Sequence, residues 1–141
     1  MVCLKIKHMK KLEYIPGDLC IVKGKVESVC EVDRDNDFSI TTDQHPFIRL
    51  SEVKPIPLTS EILKKNGWKL HKCHKMGDYY DVSWSSYHKP AETNISLIFY
   101  PEEEAFFPFL YSQEISETPI RYVHQLQHLL FGLGLNSEME V

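Results

Sequence analysis

Thr118-Pro-Ile-Arg-Tyr-Val-His-Gln-Leu-Gln-His-Leu-Leu-Phe-Gly-Leu-Gly134 reads as a helix with both ends written into it. Thr118 offers an N-cap oxygen, Pro119 suits the first helical position, where an N–H would have no partner, and Gly132 or Gly134 suits the stop. At 100° per residue Tyr122, Val123, Leu126, Leu129, Leu130 and Leu133 form one stripe, with Arg121, His124, Gln125 and His128 nearly opposite. The stripe is expected to pack on a sheet, with the histidines turned away.

The segments before it supply that sheet. Trp68 to His74, Tyr79 to Trp84 and Asn94 to Tyr100 are rich in aromatic and β-branched residues, and their short connections favour antiparallel pairing. Phe106-Phe-Pro-Phe-Leu-Tyr111 reads equally as an edge strand or an apolar loop, and Pro101-Glu-Glu-Glu104 as a solvated turn. Further upstream, Thr59 is a suitable N-cap for a short helix from Ser60 to Asn66, with Glu61 in its first turn, Lys64 and Lys65 in its last, and Gly67 as its stop.

From Pro16 to Leu58 the pattern changes to short strands between turn signals. Lys23-Gly24 suits a hairpin tip; in Lys25 to Val32 the alternation sets Val26, Ser28, Cys30 and Val32 on one face. Phe38 to Thr42 and Phe47 to Leu50 follow as strands, separated by Asp43-Gln44-His45-Pro46. Four or five strands in so short a stretch are expected to close into a small SH3-like barrel. The fold expected is therefore α+β: an SH3-like β module over residues 1–58, then residues 59–141 as an antiparallel sheet packed by the C-terminal helix.

The chain has 141 residues, 43% of them hydrophobic and 26% charged, as in a folded globular protein. Lys5, Lys7, Lys10, Lys11, Lys23 and Lys25 stand against Glu13 and Asp18 in residues 1–25, a local +4 within a net −4. That basic front suits a nucleic-acid contact, or equally a set of solvated lysines. Lysines interrupt the apolar residues near the start, so no export signal is expected there, and no apolar run is long enough to span a bilayer. A cytoplasmic protein with reduced Cys3, Cys20, Cys30 and Cys73 follows, Cys20 and Cys30 reading as small buried hydrophobes.

Candidate chemistry is sparse. His124-Gln-Leu-Gln-His128 has the spacing of a helical zinc-protease pair, but Gln125 stands where a general base is needed, and an amide cannot take a proton from metal-bound water. A non-catalytic zinc site at His124 and His128 would need further ligands, and His71-Lys-Cys73-His74 is the one compact supply. Asp33-Arg-Asp-Asn-Asp37 spaces its acids like a calcium loop, yet Phe38 replaces the sixth-position glycine and Gln44 the twelfth-position glutamate. No nucleophile elbow or phosphate loop is present. Neither catalysis nor a cofactor is expected.

Pro55-Ile-Pro-Leu-Thr-Ser-Glu-Ile-Leu-Lys-Lys-Asn-Gly-Trp68 and Ile120-Arg-Tyr-Val-His-Gln-Leu-Gln127, in this order after a Gly-Asp opening into a β module, resemble a group of small uncharacterised proteins of phages, prophages and mobile elements. The resemblance implies no activity. Its pattern commonly places Asn after Gln127, where this chain has His128, which implies that a metal pair is not the group's shared purpose. The function expected is a non-enzymatic interaction protein of a phage or mobile element, with Phe106, Phe107, Phe109 and Tyr111 as partner contacts. The partner is a protein or a further copy of the chain. Nucleic-acid binding through the six lysines and zinc binding through the two histidines are the alternatives.

Overall fold

The structure is a computed structural model that describes residues 13–33, 39–75, 82–89, 92–111, 113–115 and 118–141, with backbone only at 72–75, 82–84 and 92–93. The chain divides into two compact units, Met1–Lys54 and Pro55–Val141.

In the first unit β1 (Leu19–Val22), β2 (Lys25–Asp33), β3 (Ser39–Thr42) and β4 (Val53–Lys54) form an antiparallel sheet in the order β3-β2-β1-β4. The expected SH3-like barrel does not form: this sheet is open, and the described residues are mostly strand, in two antiparallel sheets. Local backbone geometry explains the difference. Closure needs a full strand at Phe47 to Leu50, but Phe47 adopts φ +52° and Leu50–Glu52 winds into a 3-10 turn, leaving one bridge between Ile48 and Ile40. The last strand is only two residues long, and Pro55 follows it without an N–H to extend the ladder.

The faces of β2 also depart from simple alternation. Its register against β3 slips between Val29 and Glu31, a bulge that inserts one residue. Inward positions therefore run Glu27, Val29 and Val32, while Val26 is 50% exposed and Cys30 lies at the surface. The bulge lets both Val29 and Val32 reach a core made with Tyr14, Cys20, Val22, Ile40, Ile48 and Val53. Glu27, two residues before Val29 and opposite buried Cys20, shares that inner face by alternation.

In the second unit Thr59 Oγ1 accepts a hydrogen bond from Ile62 N at 3.2 Å and caps α1 (Ser60–Lys65), which Gly67 ends at φ +86°. Strands β5 (Lys69–Lys75), β6 (Val82–Lys89), β7 (Glu92–Tyr100), β8 (Ala105–Leu110) and β9 (Gln113–Glu114) then form an antiparallel meander in sequence order. Residues 106–110 thus make a strand paired on both sides. Phe106 lies opposite Phe99, and Pro108 opposite Leu97, on the buried side of the sheet.

The closing helix α2 spans Val123–Gly132, four residues later than the sequence suggests. Tertiary pairing takes the first turn. Ile120 exchanges backbone hydrogen bonds with Phe106 at 2.9 and 2.7 Å, and Tyr122 bridges Pro57, so residues 120–122 are extended. Gln125 Oε1 accepts from Arg121 N at 2.8 Å and Tyr122 N at 3.1 Å, replacing Thr118 as the cap. At the other end Leu135 N bonds Leu130 O and Gly134 N bonds Phe131 O, the Schellman pattern, with Gly134 at φ +73°. The chain then returns along α1: Glu140 N donates to Asn66 Oδ1 at 2.8 Å and Asn66 Nδ2 to Glu140 O at 2.7 Å.

Candidate functional site

The loop from β3 to Ile48 carries Asp43-Gln44-His45-Pro46-Phe47, and hydrogen bonds fix it from below. Thr42 N donates to His45 O at 2.8 Å, His45 N to Thr42 Oγ1 at 3.0 Å, and Phe47 N to Thr41 Oγ1 at 3.4 Å. Asp43 ties the loop to β2: its N donates to Ser28 O at 3.0 Å and its Oδ1 accepts from Ser28 N at 2.9 Å. At the tip Phe47 is 75% exposed.

Beneath the loop lies Glu27, 2% exposed. Its Oε1 accepts from Thr42 Oγ1 and lies 2.8 Å from His45 Nδ1, while Oε2 is buried and has no hydrogen-bond partner among the described residues. Burial alone would push this carboxyl up. The Thr42 hydroxyl and the His45 ring outweigh it and hold Glu27 below the ordinary value of 4.5. The neighbouring Cys20 thiol responds oppositely: burial, then the charges of Glu27, Asp18 and Asp43, push it up to about 11. This cysteine is a packed, protonated thiol, not a nucleophile.

Chemically, the arrangement is a carboxylate that orients a histidine. With Nδ1 turned to Glu27, the other ring nitrogen is Nε2, and the side chain is 32% exposed. Its evident use is to hold a loop whose tip sets a bulky residue in the left-handed region, at a cost of about 1–2 kcal/mol. Tyr111 repeats the pattern in the second unit: φ +52°, 70% exposed, its N donating to Asn94 O at 2.8 Å and its hydroxyl 3.0 Å from Asn94 Nδ2.

The expected contact residues separate accordingly. Phe106 is 3% exposed and packs on Phe99 at 4.7 Å and Tyr87 at 6.0 Å. Phe107 and Phe109 are half-buried on the opposite side of the strand, Phe107 against Tyr100 at 5.4 Å. Tyr111 alone of the four is presented. Sequence pattern assigns Phe47 to a strand, which conceals it; its signal is an aromatic just after His45-Pro46, inside a turn cluster.

Of the basic residues, Lys23 and Lys25 flank the exposed β1–β2 tip, where Lys23 at φ +51° and Gly24 at φ +79° satisfy a type I′ turn. Lys5, Lys7, Lys10 and Lys11 lie outside the described residues. So do residues 34–38 of the calcium-like stretch and the side chains of Cys73 and His74.

His124 and His128 lie with ring centroids 5.6 Å apart, but His124 does not face away from the core: it is 1% exposed and stacks on Tyr122 at 6.0 Å. Gln127 is buried too, its Nε2 donating to Ser137 O at 3.2 Å. The returning tail covers a side of the helix that periodicity alone assigns to solvent. His128 borders a cavity of about 180 Å³ with Pro108, Thr118, Pro119, Ile120, Gln125 and Leu129. Among the described residues no group of three or more His, Cys, Asp or Glu is placed to hold a metal, and no helix is long and apolar enough to cross a membrane. No known family model matches this chain, nor does any curated protein or solved structure.

Proposed function

We propose that this chain is a non-enzymatic interaction protein of a phage or mobile element, acting in the cytoplasm of the producing cell, with Phe47 as its principal anchor for a protein partner. The observation that carries the reading is Phe47 itself: an aromatic side chain 75% exposed, at φ +52°, on a loop hydrogen-bonded to a buried carboxylate. A free surface has no use for a strained, solvated phenyl ring on a rigid support. An interface does, because aromatic anchors pre-set in one conformation lose little entropy on docking and concentrate binding energy. Tyr111 is a second anchor of the same kind.

Affinity capture from producing cells with the wild-type chain and Phe47→Asn tests the reading. A protein recovered with the wild type and reduced at least tenfold with the variant is the expected outcome. Equal recovery by both, or no enriched protein, overturns it. Nucleic-acid binding is the second reading, favoured by the exposed Lys23 and Lys25 at a type I′ tip. It predicts a gel shift that weakens steeply with salt.

A further inference from the structure

We propose that Glu27 is the positioning residue of the Phe47 loop: from inside the first unit its carboxylate grips the loop through Thr42 and His45, and so sets the direction in which Phe47 is presented. The use of that grip in binding rests on the reading of Phe47 as an anchor; the grip itself does not.

The geometry argues against a merely tolerated core residue. A carboxylate at 2% exposure is costly to bury, and an apolar side chain at this inward position of β2 would extend the core of Val22, Val29 and Ile40. Instead, Oε1 takes both available donors, and both come from the loop side: Thr42 ends β3 and His45 lies at the centre of the turn. Two of those residues also bond each other, since His45 N donates to Thr42 Oγ1 at 3.0 Å. The carboxylate therefore closes a ring of hydrogen bonds two residues from Phe47. Charge-assisted bonds of this kind are about twice as strong as neutral ones.

Among the described residues, the charged and titratable groups bearing on Glu27 besides His45 are Asp43 in the loop and, on the β1 side, the Cys20 thiol, which Asp18 also faces. Asp43 is a like charge to Glu27, and its own carboxyl is held low, chiefly by the Ser28 N–H, so the loop enters acid with both carboxylates ionised. His45 Nδ1 is the donor to Oε1. Lowering the pH weakens the grip. The incoming proton has a place at the unpartnered Oε2, and Oε1 then becomes a neutral acceptor. Because the folded carboxyl lies below 4.5, the grip is complete above that value and is lost as pH falls through the lower, folded one.

Site-resolved amide exchange on the full chain, corrected for intrinsic rates, tests this without any partner. In Glu27→Gln at pH 7 the amides of Thr42, Asp43, His45 and Phe47 are expected to lose about tenfold in protection, while those of Cys20 and Val22 change by less than about threefold. In the wild type, loop protection is expected to stay level from pH 7 to about 4.5 and to fall below it, and in Glu27→Gln that acid-dependent fall shrinks to the part set by Asp43. Should Glu27→Gln not fold, His45→Gln, altered at a partly exposed side chain, is expected to show the same loop-confined loss. Unchanged loop protection, or an equal loss across β1 and the loop, overturns the assignment. Capture of a partner then separates the two claims: a loop loosened by Glu27→Gln with partner recovery equal to wild type leaves the grip standing and overturns its use in binding.

Discussion

Phe47 and Cys20 are the residues at which local chemistry gives the sharpest expectations. Phe47 sits at φ +52° with its ring in water, so its native conformation costs energy that asparagine, which tolerates the left-handed region, does not incur. Phe47→Asn is expected to raise stability by about 1 kcal/mol in urea unfolding while weakening partner capture. A variant that binds less because it folds less well would show the opposite stability change. For Cys20, a pKa of about 11 leaves roughly 0.1% thiolate at pH 8, and the residue is fully buried. Iodoacetamide should therefore label exposed Cys30 in the native chain and leave Cys20 unmodified until denaturant is added, as peptide mass mapping would show. Rapid native labelling of Cys20 would contradict the packing described for β1.

At the scale of elements, α2 shows how little of a helix is decided by its own propensities. Thr118-Pro119 is a sound start signal, yet the residues that follow are drawn into bridges with Phe106 and Pro57, and Gln125 becomes the cap. Gln125→Ala removes the acceptor for two backbone N–H groups and is expected to cost about 1 kcal/mol. The C-terminal signal did hold, because Gly134 adopts the left-handed conformation that a Schellman turn needs. A Cβ at Gly134 would meet nothing within 4 Å, so Gly134→Ala should cost only the backbone penalty, about 1 kcal/mol. Thermal unfolding of the two variants checks both losses. The short helix α1 was fully legible, since Thr59 and Gly67 act through bonds inside its own few residues. Strand β2 was not: its bulge depends on pairing with β3, and the slip puts Val32 on the face of Glu27 and Val29, where alternation alone groups it with Val26.

The whole chain divides between a small four-stranded sheet and a larger unit built on a five-stranded sheet, with unequal means of support. Among the described residues, the core of Met1–Lys54 has seven buried hydrophobic side chains, two of them Cys20 and Tyr14, around an open sheet. Units of this size bury little apolar surface, and their stability is marginal. Pro55–Val141 adds a five-stranded meander, two capped helices and the clasp between Asn66 and Glu140. Expressed alone, residues 55–141 are expected to unfold cooperatively by circular dichroism, and residues 1–54 to show a shallow, low-temperature transition. A steep, high transition in the smaller fragment would reverse this ranking.

What the sequence by itself determined are features that close within a few residues: the Thr59 cap, the Gly67 stop, the Lys23-Gly24 hairpin tip and the strand character of Lys69 to His74 and Asn94 to Tyr100, with the closing helix's stop narrowed to Gly132 or Gly134. Only the tertiary structure decided the rest. An open sheet in place of the expected barrel, the late start of the closing helix, the burial of His124 and the inward turn of Glu27 all follow from pairings between segments distant in the chain. Hydrogen bonds and apolar contacts of that kind leave no periodicity to read. Phe47 belongs to both levels, since a turn could be read at His45-Pro46, but the buried carboxylate that holds it lies 20 residues earlier in the chain.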